Sequence, residues 1–258
     1  MDVSVIDQMP SGRGKIETER FDEESAEEVY NIVKENVSLG HQAYIVYPII
    51  EESEKLDLKA AEDMYWKFKK SNFKGLRVGL VHGQMKQNES QDIMQKFKDH
   101  QIDILVATSV LEVGIDVPNA TVMVIEHADR FGLAQLHQLR GRVGRGAQDS
   151  LCLLISNSTT EDSHRRLKAI VSTIDGFKIA QEDLLIRGPG HFFGRHQHGL
   201  NELKVANPVT QIDILELARK EALELTKEDP KLEKEDNRII KRIVRRRYPN
   251  YLAMAKAG

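Results

Sequence analysis

The residues best suited to chemistry lie in 138–145, QLRGRVGR, where three arginines and two glycines fall within eight positions. An arginine guanidinium is permanently charged and presents a planar fork that grips phosphate oxygens two at a time. Glycine lets the backbone turn tightly and approach another surface. Such a loop suits a phosphate ligand, and by itself it is also compatible with solvated arginines on a surface loop. A second segment, 108–118 (TSVLEVGIDVP), directly follows the apolar run IDILVAT. In α/β sheets ligands bind beyond the carboxyl ends of the strands, so Thr108, Ser109, Gly114 and Asp116 are expected at such an end. There Asp116 can accept a hydrogen bond from a ribose hydroxyl, and Thr108 and Ser109 can donate to a backbone phosphate. Asp116 before Val117 and Pro118 also fits a simple turn.

These loops need elements to hold them. The near-continuous apolar run at 43–50 reads as a strand buried on both faces, and 76–82, 102–108, 121–126 and 151–156 read as further strands. Helical periodicity separates them: 22–37, capped by Asp22 and closed by Gly40; 56–70, with Met64, Trp66 and Phe68 apolar; 87–98; and 133–139. Alternating strands and helices imply an α/β fold with a mostly parallel sheet and helices on both faces. Residues 1–21 read as a linker or lead-in strand. After a boundary near 158 the strand signal stops. Helices are expected at 159–174, 176–185 and 211–227, around a Gly- and aromatic-rich loop at 187–199 (RGPGHFFGRHQHG), with a basic tail at the end. The expected organisation is 1–21 linker, 22–158 lobe, 159–210 helical hairpin and loop, and 211–258 helical C-terminal extension.

Composition bounds the alternatives. The chain has 258 residues, 40% of them apolar and 30% charged, as a globular protein does. No apolar run approaches the roughly 18 residues of a membrane span, so no membrane partner is expected. The N-terminus lacks an apolar core behind a basic start, and the single cysteine, Cys152, sits in an apolar run. A reducing, cytoplasmic setting is therefore expected. The net charge of -3 does not announce a nucleic-acid binder. The charge is nonetheless unevenly spread, because six of the ten residues 238–247 are basic, which leaves room for a single basic face. His191, His196 and His198 match no metal-ligand spacing, so no metal site is expected.

Segments 108–118 and 138–145 together resemble motifs V and VI of superfamily 2 helicases. Residues 43–54 (AYIVYPIIEESE) and 81–85 (VHGQM) resemble two further motifs of that superfamily. The resemblance implies a RecA-like second motor lobe. It also implies roles: Arg142 and Arg145 as arginine fingers reaching ATP, Gly114, Asp116 and Gln138 on the nucleotide side, and His82, Gly83, Thr108 and Ser109 on the nucleic-acid backbone. Residues 175–199 resemble the translocation motif shared by the RecG family and the transcription-repair coupling factor, which couples lobe closure to movement on duplex DNA. Arg187 and Gln197 occupy its functional positions. The RGPG-x-FFG form and the following VANPVT look more like RecG. The chain departs from that pattern at His191, where an acidic residue is expected.

ATP binding also needs a phosphate loop ending in GK[ST] and an acidic pair for Mg²⁺. Residues 11–15 (SGRGK) lack the earlier glycine and the hydroxyl, and 22–25 (DEES) follow the charged TERF. The expectation is a fragment whose ATP and Mg²⁺ are held mainly by an N-terminal RecA-like lobe. That lobe, a wedge domain and branched or duplex DNA are the implied partners. The other readings are a coupling-factor motor lobe and a nucleic-acid-binding protein that kept the fold without catalysis.

Overall fold

The computed structural model describes residues 14–48, 54–108, 116–187 and 212–247. The first compact unit runs through Gly188 and the second begins at Pro189. The first holds six strands, β1 (Ile16–Phe21), β2 (Gln42–Tyr47), β3 (Val78–Val81), β4 (Ile104–Thr108), β5 (Ala120–Ile125) and β6 (Ser150–Ile155). They form one sheet in the order β1-β6-β5-β2-β4-β3, and every pairing is parallel. Parallel neighbours need crossovers, which α1 (Ala26–Ser38), α2 (Glu54–Lys67), α3 (Gln87–Lys98) and α4 (Leu133–Arg140) supply. After β6 come α5 (Glu161–Ser172) and α6 (Gly176–Arg187).

Strand alternation distributes the core over two faces. Along β2, Tyr44 and Val46 join Phe97, Leu105, Met123, Leu136, Cys152 and Leu167. Ala43, Ile45 and Tyr47 point the other way, toward Val29, Val33, Phe68, Phe73 and Val124. Helices cover both sides, so the central strands β2, β4 and β5 are buried at every position, as their unbroken apolar runs required. Cys152 is among the fully buried residues.

The differences from expectation have local causes. Of the two readings of 1–21, linker or lead-in strand, residues 16–21 take the strand, an edge strand anchored by parallel pairing with β6, whose charged exterior (Glu17, Glu19, Arg20) left the choice open in a reading based on apolar runs. The acidic stretch after it thus does follow a strand, though a half-exposed one. Asp22 makes no cap, because its carboxylate pairs with Arg20 at 3.4 Å, and a short 3-10 turn precedes α1. Gly40, at φ +91°, closes α1 as expected. Beyond Lys67 the helix widens into a π-helical turn, Phe68–Asn72. That wider turn lets Phe68 and Phe73 both pack on Tyr30, at ring distances of 5.1 and 5.8 Å. Trp66, two residues from either apolar neighbour, is half exposed instead. The boundary expected near 158 does not separate compact units: α5 and α6 pack on α4 and on each other, burying Leu167, Ile170 and Ile179.

In the second unit α7 (Ile212–Glu228) leads to α8 (Arg238–Arg247), a helix where a basic tail was expected. Asp229 builds the turn between them. Its carboxylate accepts hydrogen bonds from the Glu233 and Lys234 amides at 2.9 and 2.8 Å and from Asn237 Nδ2 at 2.9 Å. Those donors hold its pKa down at about 2, led by Asn237. No helix among the described residues is long and apolar enough to cross a membrane.

Two outcomes follow from this packing. Gly144 has φ +70°, and a Cβ there would lie 2.5 Å from Ile16 Cγ1. Gly144→Ala is expected to lower stability by about 1–3 kcal/mol in urea unfolding. A double-mutant cycle with Ile16→Val should return a coupling of at least about 0.5 kcal/mol, and additive effects would contradict the contact. The depressed pKa of Asp229 means that the α7–α8 turn gains stability above the ordinary carboxylate pKa near 4 and loses it as pH falls through about 2. NMR of the Asn237 side-chain amide should follow that loss, and a midpoint near pH 4 would exclude the hydrogen-bonded carboxylate.

Candidate functional site

The fold sorts the candidate residues onto opposite edges of the sheet. At the carboxyl edge, His82 follows β3 and Thr108 ends β4. The β3–β4 register sets Val81 against Ala107 and the β2–β4 register sets Tyr47 against Thr108, so His82, Thr108 and Tyr47 form a row. His82 Nε2 lies 4.0 Å from Glu62 of α2. Its Nδ1 and the hydroxyl of Thr108 are buried without a hydrogen-bond partner. Buried polar atoms are rarely left unpaired, and these two lie on adjacent strand ends at this edge. Gly83 is exposed in the turn that follows, closed by the Met85 amide on the His82 carbonyl at 3.1 Å.

The expected grouping of Asp116 with Thr108 does not hold. Asp116 precedes β5, and Ala120 at the start of β5 pairs with Gln42 at the start of β2. Asp116 therefore sits at the amino edge, because β4 and β5 run parallel and the chain must return between them. The arginine loop meets it there, since α4 runs back from the carboxyl edge. Arg145 Nη1 lies 3.5 Å from Asp116 Oδ1, and its Nε donates to the Gly141 carbonyl at 3.1 Å. The pair is loose and solvent-facing, with 29% and 55% of the two side chains exposed. Arg142 is half-buried, and its guanidinium makes no hydrogen bond among the described residues. Beneath them lies Tyr44, whose hydroxyl is pushed up to about 12 by burial, against the pull of Arg142 and Arg145. Gln138, exposed on α4, stands four residues before Arg142. The amino edge thus offers two cations to an anion arriving from outside. Ser109, Gly114 and Gln197 lie outside the described residues. Arg187 ends α6, its side chain likewise outside them.

The glycines of this loop are explained by close contact. The Gly14 amide donates to the Gly146 carbonyl at 2.9 Å. A Cβ on Gly146 would come within 3.0 Å of the Pro118 carbonyl. The loop is therefore clamped between the entry to β1 and the entry to β5.

Arg140, the first of the three arginines, does different work. It is 2% exposed. Its Nη1 donates to the carbonyls of Ile170 and Thr173 at 2.6 and 2.8 Å, and its Nη2 to His137 Nδ1 at 3.1 Å. Arginine only donates, so His137 Nδ1 must accept; burial and the nearby guanidinium lower the His137 pKa and favour that neutral ring. Carbonyls at a helix C-terminus lack intrahelical partners and carry the negative end of its dipole, so the cation is matched to the end of α5. On the far side of His137, Gly176 opens α6 so closely that a Cβ would lie 3.1 Å from Nε2. Asp175 caps α6, accepting from the Phe177 amide at 2.9 Å. The hairpin α5–α6 is thereby fastened to the helix that carries the arginine loop. The spacing of QLRGRVGR could not separate this buried arginine from its exposed neighbours, because Ile170 and Thr173 are distant in sequence.

Sequence reasoning also missed a cleft of about 380 Å³ at the carboxyl edge, lined by Glu23, Tyr47, Pro48, Glu126, His127 and Arg130 among others. Glu126 is buried, accepts a hydrogen bond from the Tyr30 hydroxyl at 2.7 Å, and has its pKa raised by burial. The charged residue ending an apolar strand was the available signal.

The division among the arginines has a measurable consequence. Arg140→Ala strands two helix-end carbonyls and should cost about 2–4 kcal/mol in urea unfolding. Arg142→Ala should change stability by no more than about 0.5 kcal/mol. Equal small losses would contradict a structural role for Arg140.

Comparison with known proteins agrees with this geometry. The helicase conserved C-terminal domain family matches residues 24–147. The family described as ATP-dependent DNA helicase RecG, domain 3, C-terminal, matches residues 173–250. The chain is 48% identical to the ATP-dependent DNA helicase RecG of Thermotoga maritima over 235 residues, 91% of this chain and 30% of that protein. It is 46% identical to the RecG of Bacillus subtilis over 89% of this chain and 34% of that protein. It thus spans about a third of the length of these relatives. A solved structure of RecG bound to a three-way DNA junction is 45% identical and superimposes with a TM-score of 0.64, covering 81% of this chain and 27% of that one. Two sheet edges that divide the helicase motifs, and a hairpin fastened to the arginine loop, stand in a chain that belongs to the RecG helicase family, with the parallel-sheet RecA-like C-terminal lobe and the C-terminal part of domain 3.

Proposed function

We propose that this chain is the C-terminal motor lobe of an ATP-dependent translocase that moves on duplex DNA and acts at branched junctions, such as stalled forks and Holliday junctions, in cytoplasmic recombination and repair. The observation that carries this reading is the division of the sheet into two working edges. The amino edge presents Arg142 and Arg145, a permanent positive charge without a firm internal partner, toward a nucleotide held on the N-terminal lobe. Asp116 holds Arg145 loosely enough to release it, Gln138 stands one turn before Arg142, and Gly114 acts with them on the nucleotide. Phosphoryl transfer from ATP with Mg²⁺, both held mainly by that first lobe, supplies the free energy. The two arginines neutralise charge that develops on the phosphates, an effect of about 10³–10⁵ in rate, or roughly 4–7 kcal/mol.

The carboxyl edge presents His82, Gly83 and Thr108 to the DNA backbone, and Ser109 contacts the same backbone. The unpaired hydroxyl of Thr108 donates to a phosphate oxygen, which removes the cost of leaving it buried and unsatisfied. Arg187 and Gln197 act in coupling. The buried Arg140 supports this role, because any displacement of the arginine loop is carried through α4 to the ends of α5 and α6. Strand selection at the junction belongs to the wedge domain of the whole protein.

The test is reconstitution. Mixed with the N-terminal part of the protein, the chain is expected to give ATPase activity stimulated by forked DNA, whereas the chain alone hydrolyses ATP negligibly. Arg142→Ala or Arg145→Ala should lower the stimulated rate by about 10³-fold or more while leaving DNA affinity within a factor of about two. DNA-stimulated turnover by the isolated chain, or reconstituted turnover indifferent to both arginines, would overturn the proposal.

A further inference from the structure

Helix α8 gathers most of its basic residues on one face. Arg238, Lys241, Arg242 and Arg245 recur at spacings of three and four residues and so share one face, with Arg246 beside them. Ile239, Ile240 and Ile243 occupy the other side and are exposed. Lys241 pairs with Glu233 at 3.7 Å. The guanidinium groups of Arg238, Arg242, Arg245 and Arg246 are exposed and make no hydrogen bond or ion pair among the described residues. The Asp229 turn holds the start of this helix through bonds to Glu233, Lys234 and Asn237, so the face is presented by an ordered junction.

Four unpaired guanidinium groups on one helical face offer a surface that fits a polyanion. We infer that the cationic face of α8 docks on the phosphate backbone of duplex DNA, as a contact separate from the carboxyl edge of the sheet. This rests on the reading of the chain as part of a DNA motor. Two features favour nucleic acid over an anionic bilayer. The charge is carried mainly by arginine, whose fork grips phosphate in two bonds, and the apolar side consists of isoleucine without the aromatic anchors of interfacial helices. The helix reads no bases in this arrangement: phosphate contacts give affinity and orientation and carry no sequence preference.

Counterion release makes this measurable, since each neutralised phosphate contributes about 0.9 to the slope of log affinity against log salt. The complete chain would be titrated with a short fluorescent duplex at several salt concentrations, alongside a variant in which Arg238, Arg242, Arg245 and Arg246 are all glutamine. Glutamine is nearly as good a helix former as arginine, and far-ultraviolet circular dichroism verifies that α8 persists. The slope is expected to become shallower by about 3 to 4 in the glutamine variant and to return when the same positions carry lysine. An unchanged slope with binding retained would overturn the inference and leave the motor reading standing. Absence of salt-dependent duplex binding by the unmodified chain would overturn it too, and reconstituted fork-stimulated ATPase would then decide the motor reading independently. Tighter binding to phosphatidylserine vesicles than to duplex, lost in the glutamine variant, would assign α8 to a membrane surface instead.

Discussion

Every functional relation in the first unit depends on parallel strand pairing. A parallel sheet aligns its strand ends, so each chain segment that leaves the carboxyl edge must return to the amino edge before the next strand begins. Strands of five or six residues hold those edges roughly 17–20 Å apart. Groups adjacent in sequence are divided by this rule, as Thr108 and Asp116 are, and groups distant in sequence are joined by it, as Asp116 and Arg145 are. Two different ligands can thus be served by one rigid body without competing for the same space.

Rigidity between the edges comes from packing, and its continuation into the hairpin comes from Arg140. A buried guanidinium is costly unless its donors are satisfied. Here two carbonyls at the end of α5 and the ring of His137 satisfy it. The bonds are directional, so α4 and α5 keep a defined relation where a purely apolar contact would allow sliding. Two residues further on, Arg142 is left free to meet something else. One short motif therefore contains both a fastening guanidinium and a solvent-facing one, distinguished by which of them lies under the hairpin.

The central strands and the helical crossovers were legible because their burial on both faces demanded unbroken apolar runs between helical periods. The edge strand β1 was legible only as one of two alternatives, linker or lead-in strand, since one exposed side let charged residues into it. The capping role assigned to Asp22 failed because Arg20 competed for its carboxylate. Trp66 was misplaced in α2 because a residue two positions from Met64 and from Phe68 falls on the opposite side of a helix, where it is half exposed. The last turns of the chain read as a basic tail because arginine density masked the isoleucine spacing of α8.

The sequence by itself determined the α/β class, the family and the residue types available for phosphate and backbone contact. Each of these is written in local composition and spacing. Only the tertiary structure decided which residues act together. It put Asp116 with Arg145 at one edge and His82 with Thr108 at the other, and it withdrew Arg140 from the solvent to fasten the hairpin. These relations depend on strand order, register and burial, which arise from contacts between residues far apart along the chain, and no local pattern of residues encodes them.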